Sequence, residues 1–135
     1  MTPFLTPLAK KSEMAKPPLK RSWEYRDRVR FYAQGLADRY RTEIADAFLE
    51  RVQEAEFLLS NNNLAGTTAP YILAGQRVVL REFYFPSGPV TYCLIYEVTE
   101  NFVELISLWH GVGSRNAGII KRLWVNRTTK SSEGN

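Results

Sequence analysis

At 135 residues, with 44% hydrophobic and 24% charged side chains, the chain has the composition of one globular domain and not of a disordered segment. Eighteen Lys and Arg against fourteen Asp and Glu leave a net charge of +4, which favours acidic partners without choosing between nucleic acid and protein. Cys93 is the only cysteine, so an internal disulfide is excluded, and no apolar run approaches the roughly 20 residues of a membrane span.

Four prolines (Pro3, Pro7, Pro17, Pro18) and four lysines (Lys10, Lys11, Lys16, Lys20) occupy residues 1–20. No helix runs through Pro17-Pro18, so residues 1–17 read as a basic, proline-containing arm. A single domain is expected over residues 18–125, followed by a polar tail at 126–135. The prolines and lysines break up Phe4, Leu5 and Leu8, which makes a poor secretory signal, and the expected location is the cytoplasm.

Ser22 suits a helix N-cap, and Glu24 follows in the first turn, where the helix dipole favours an acid. Tyr25, Val29, Tyr32, Ala33 and Leu36 recur at helical spacing, and Gly35 marks the expected end of this helix. A longer helix comes next. Tyr40, Ile44, Ala47, Phe48, Val52, Ala55, Leu58 and Leu59 form one apolar stripe, opposite Arg41, Glu43, Asp46, Glu50, Gln53 and Glu54. Ser60-Asn61-Asn62-Asn63 competes for backbone hydrogen bonds and ends it. So short a connection between two helices predicts an antiparallel hairpin.

After a loop holding Gly66, Pro70 and Gly75, the pattern changes period. Arg77–Phe85, Thr91–Val98 and Phe102–Trp109 predict strands, joined by Pro86-Ser87-Gly88-Pro89 and by Thr99-Glu100-Asn101. Turns this short permit only antiparallel neighbours. The predicted class is α+β: an N-terminal antiparallel helical hairpin packed on a small antiparallel sheet, a three-stranded meander with room for a short extra N-terminal strand. Tyr92, Leu94, Tyr96 and Val98 share one face, as do Phe102, Ile106, Leu108 and His110. Both faces are apolar and the hairpin covers one, so the other is expected to be an open partner surface. Beyond Gly111-Val112-Gly113, Ile119, Ile120, Leu123 and Trp124 read as one side of a short helix.

Three segments carry a family resemblance: Trp23-Glu24-Tyr25-Arg26-Asp27 leading to Phe31-Tyr32-Ala33; Phe48 to Leu59; and Val79-Leu80-Arg81 with Tyr92–Val98 and Val103–Gly111. In order and spacing they resemble the ParE/RelE superfamily of toxins from type II toxin–antitoxin pairs, whose last strand often ends in His-Gly followed by basic residues. Here Val112-Gly113-Ser114 intervene before Arg115. The resemblance implies a growth-inhibiting toxin, neutralised in a hetero-oligomer by a cognate antitoxin with an acidic, partly disordered segment. Two targets stay open: DNA gyrase, bound without chemistry, or messenger RNA cut in the ribosome. The absence of a dense Lys, Arg and Tyr run after the last strand favours the first.

Metal-free RNA cleavage needs a base, an acid and a fixed cation. The candidates are His110 as acid or base, Arg81 and Arg115 as cations, and Tyr84 or Tyr92 to orient the substrate. The candidate target or antitoxin surface is Arg77, Arg81, Trp109, His110 and Arg115, with the antitoxin expected across the sheet face away from the hairpin. One histidine and one cysteine do not make a usual zinc site, and no nucleotide-cofactor fingerprint is present, so no metal or cofactor is expected. From a different class, a non-toxic nucleic-acid-binding module would use Lys10 to Lys20, Arg21, Arg26, Arg28 and Arg30 beside Trp23 and Tyr25.

Overall fold

The computed structural model describes residues 17–111 and the backbone of residues 121–123. The elements run β1 (Leu19–Arg21), α1 (Trp23–Arg39), α2 (Thr42–Asn61), β2 (Thr67–Leu73), β3 (Gln76–Ser87), β4 (Val90–Val98), β5 (Val103–His110) and β6 (Lys121–Leu123). The class is α+β, with strand order β1-β5-β4-β3-β2-β6 in one sheet. Residues 1–16, Arg115, Trp124 and the 126–135 tail lie outside the described residues.

Both helices follow the apolar spacing, with two differences. Ser22 caps α1 as expected, its side chain accepting from the Tyr25 amide. Gly35 does not end the helix, which continues to Arg39 and closes at Tyr40. A mid-helix glycine costs about 1 kcal/mol relative to alanine, and the packing of Leu36 against the core outweighs that. On α2 the buried line is Ala45, Phe48, Val52, Ala55 and Leu59, whereas Ile44, Ala47 and Leu58 drift to the exposed side.

The sheet is larger than the expected three-stranded meander. Residues 67–73, expected as loop, form β2 and pair antiparallel with β3, so the antiparallel series spans four strands, β2 to β5. Pro70 hid this strand. It lies outside the three residues of β2 that β6 pairs, near the sheet's margin, where a missing N–H is tolerated. β1 is the extra N-terminal strand, pairing parallel with β5 through Leu19 and Val103. Residues 121–123 belong to a strand and not to the expected short helix, because the outer backbone edge of β2 offers them a parallel partner.

A register shift opposite Ile95 and Tyr96 changes the faces of β5. Ile95 pairs with Ser107 and Tyr96 with Leu105, so Ile106 is the extra residue of a β-bulge. Consequently Ile106 packs with Tyr71, Leu73, Leu80, Cys93 and Ile95, while Leu105 and Leu108 join Phe48, Val52, Leu59, Tyr92 and Tyr96 under the hairpin. The expected face of Ile106 with Leu108 and His110 is therefore broken by the bulge. Among the described residues the centre of the expected open partner surface is also covered, with Tyr84 exposed beside it. On the face away from the hairpin, Tyr71, Leu73, Leu80, Cys93, Ile95 and Ile106 are 0–3% exposed.

Ser22 joins the two halves. It is buried, its backbone N–H donates to Leu105 O at 3.0 Å, and its hydroxyl donates to Ile106 O at 2.7 Å while accepting from the Tyr25 amide. The Ser22→Ala substitution removes a cap and strands the bulge carbonyl. We expect a loss of about 1–3 kcal/mol, read as a lower midpoint of urea unfolding.

Candidate functional site

The residues singled out in the sequence occupy three separate places. Arg77, Val79 and Arg81 alternate with Leu80 and Glu82 on β3, and share parity with Phe83 and Phe85 of the hairpin-side core. Arg77 and Arg81 therefore lie on the hairpin's side of the sheet, not on the far face where an antitoxin was expected. Arg77 is exposed. Arg81 is bonded within the chain, its Nη1 donating to Gly66 O at 2.7 Å. The Tyr96 hydroxyl closes the same loop, accepting from the Gly66 amide at 2.8 Å and donating to Asn63 O at 2.9 Å. These bonds hold the chain where it leaves α2 and enters β2.

Tyr84 sits on the opposite face. Its hydroxyl donates to Glu82 Oε1 at 2.7 Å, and Tyr71 donates to Glu82 Oε2. Two phenols thus satisfy a carboxylate that is only 6% exposed, with the buried Cys93 paired across from Tyr84. Burial first, then the Glu82 carboxylate, pushes the Tyr84 phenol far above its usual range, which unsuits it to deprotonate a substrate. Cys93 is 0% exposed, in line with a packed thiol.

His110 closes β5 at the end of the sheet nearest the α1–α2 hinge. Its ring stacks on Tyr32, centroids 5.8 Å apart and planes 25° apart, and tilts against Tyr92 at 6.1 Å. Arg28, one of the arginines of the expected basic patch, organises this region. Its Nε donates to Leu108 O at 2.5 Å and its Nη2 to the Tyr32 hydroxyl at 2.8 Å. Its guanidinium lies 3.7 Å over the Trp109 ring. Arg28 therefore fixes Trp109 directly and His110 through Tyr32. No local motif marks it; only its position four residues before Tyr32 on one helix face hints at the pairing.

The other arginines of that expected patch are also occupied. Arg21 meets Glu56 at 2.6 Å, Arg30 meets Asp27 at 3.3 Å, and Arg26 lies 5.7 Å from the Trp23 ring. Glu56 accepts in addition from the buried Tyr25 hydroxyl at 2.7 Å. The described arginines of that patch are thus each paired within the chain or set over a ring.

Beside His110 a cavity of about 580 Å³ opens at the hinge. It is lined by Leu36, Arg39, Tyr40, Arg41, Ile44, Ala47, Val90, Tyr92 and His110 with the β3–β4 turn. Arg39, the last residue of α1, was not singled out from the sequence, and Arg41, which precedes α2, was read only as part of that helix's polar face. No protein-family model matches the chain, and no curated protein is significantly similar to it. Among the described residues no cluster of three or more His, Cys, Asp or Glu is placed to hold a metal ion, and no helix is long and apolar enough to cross a membrane.

Two outcomes follow from this chemistry. A Cβ on Gly66 meets Glu82 O at 2.7 Å and the Tyr96 hydroxyl at 2.8 Å. Gly66→Ala is expected to destabilise by about 1–3 kcal/mol, more than Arg81→Ala at about 1 kcal/mol, as measured by chemical denaturation. Separately, Tyr25, Tyr84, Tyr92 and Tyr96 all have phenols raised above the ordinary range, with burial the largest cause in each. Each folded phenol keeps its proton beyond the pH at which the unfolded one loses it. The linked stability is full below about pH 10 and falls as pH rises above it. Spectrophotometric titration at 295 nm is expected to show these phenolates appearing late and together with unfolding.

Proposed function

We propose that the chain is a toxin of a type II toxin–antitoxin pair, ParE/RelE-like, that inhibits growth by binding an essential target, with DNA gyrase favoured. One observation carries the choice of binding over cleavage. Of the described members of the candidate nuclease set, Tyr92 lies beside His110, but Arg81 and Tyr84 do not converge with them. Arg81 is bonded to the Gly66 carbonyl, Tyr84 to Glu82 on the far face of the sheet, and His110 is stacked on Tyr32. General acid–base catalysis needs its groups within hydrogen-bond reach of one substrate. The element order supports the α+β class that the resemblance implies, and the family reading itself rests on the sequence segments that carry it.

The burial of the far face moves the expected antitoxin surface. With Tyr71, Leu80 and Ile95 covered, Arg77 is the exposed arginine of the expected surface on β3, and it lies on the hairpin side. An acidic antitoxin segment is therefore expected on the hairpin side.

The test is pulse-labelling of DNA and protein synthesis within minutes of inducing the full chain in bacteria. DNA synthesis is expected to fall first. In the same assay His110→Gln is expected to weaken inhibition by about tenfold or less, as a contact residue would. A loss of about 10²–10⁴-fold, the contribution of a general acid or base, with protein synthesis falling first, would instead establish the ribosome-dependent nuclease.

A further inference from the structure

The hinge cavity has features that the toxin reading does not use. Four arginines elsewhere in the described chain lie against carboxylates: Arg21 on Glu56, Arg28 by Glu24, Arg30 on Asp27 and Arg51 on Glu54. Arg39 and Arg41 have no such partner among the described residues, and both line the cavity. The lining contains no aspartate or glutamate at all. A concave site with two guanidinia and no acid has a positive potential and attracts anions.

The rest of the wall selects among anions. Tyr40, between the two arginines, is 59% exposed despite its large ring, and it sits where α1 closes with φ −122° and ψ −90°. That reversal of the chain presents Arg39, Tyr40 and Arg41 to one space. His110 faces the same space, held by its stack on Tyr32. Leu36, Ile44, Ala47 and Val90 complete an apolar lining. The volume of about 580 Å³ lies inside the range of roughly 300–1,000 Å³ typical of small-molecule sites.

We propose that this cavity binds a phosphate ester carrying a flat ring, a ligand of the nucleotide class. Its phosphate lies against Arg39 and Arg41, whose planar donors match phosphate oxygens. Its ring lies against Tyr40 and His110, where stacking tolerates any base. Free nucleotides and the terminal nucleotide of a strand share this chemistry. An acidic peptide shares only the charge: it leaves the exposed rings of Tyr40 and His110 without a flat partner.

Calorimetric titration of the full chain with AMP, GMP, a 5′-phosphorylated dinucleotide, inorganic phosphate and an acidic hexapeptide tests the proposal independently of toxicity. Saturable binding of at least one nucleotide is expected. The double variant Arg39→Gln, Arg41→Gln is expected to weaken it by about tenfold or more. Tyr40→Ala, at an exposed position that leaves the core intact, is expected to weaken nucleotide but not inorganic phosphate. Tighter binding of the mononucleotides assigns the free ligand, and tighter binding of the dinucleotide assigns a strand end. The proposal is overturned if no nucleotide binds at millimolar concentration, if the arginine variant, folded by circular dichroism, binds unchanged, if phosphate alone binds as tightly as AMP, or if the hexapeptide binds more tightly than either.

Discussion

The bulge at Ile106 and the serine that satisfies it organise the whole domain. A sheet ladder that inserts one residue leaves a carbonyl without its cross-strand donor. Here the Ser22 hydroxyl supplies that donor, and its backbone N–H bonds the preceding carbonyl at Leu105. The same hydroxyl accepts from the Tyr25 amide and so starts α1. One buried side chain therefore sets the end of β1, the beginning of α1 and the irregularity of β5. Removing the bulge would move Leu108 and His110 to the other face, because strand side chains alternate.

From that junction the rest of the hairpin side follows by packing. Tyr25 is buried next to it and reaches Glu56 on α2, which also receives Arg21 from β1. A buried phenol bonded to a shielded carboxylate ties α1, α2 and β1 more firmly than the exposed Arg30–Asp27 pair, whose charges are screened by solvent. Further along α1, Arg28 joins Leu108, Tyr32 and Trp109. This gives His110 a fixed neighbour in Tyr32 and makes the end of β5 a rigid border for the hinge cavity. The sheet's other face has its own core, where the Glu82 side chain accepts from two phenols, one each on β2 and β3.

The helices were legible because a repeat of 3.6 residues over 17 and 20 residues leaves few alternatives. The Ser22 cap, the burial of Cys93 and the shared face of Tyr92, Leu94 and Tyr96 were legible for similar local reasons. β2 was not, since Thr67–Leu73 carries a proline and flanking glycines that read as a loop until a pairing edge is known. The candidate site was legible in part. His110 and Trp109 stand at the hinge end as single residues, but Arg81 and Tyr84 were grouped with them only by residue type. Arg28 and Arg41 were legible only as charges of a basic patch and of a polar helix face, and Arg39 not at all, because a guanidinium's role depends on which carbonyl, ring or carboxylate folding brings near it.

Sequence alone determined the α+β class, the helical hairpin and the antiparallel order of β3, β4 and β5, since these rest on periodicity and turn length within short stretches of chain. Tertiary structure alone decided the pairing of β1 with β5, the bulge at Ile106, the closure of the far face and the gathering of Arg39, Tyr40, Arg41 and His110 around one cavity. The physical reason is separation along the chain. Ser22 and Ile106 are 84 residues apart, and a contact over that distance is selected by the packing of everything between them.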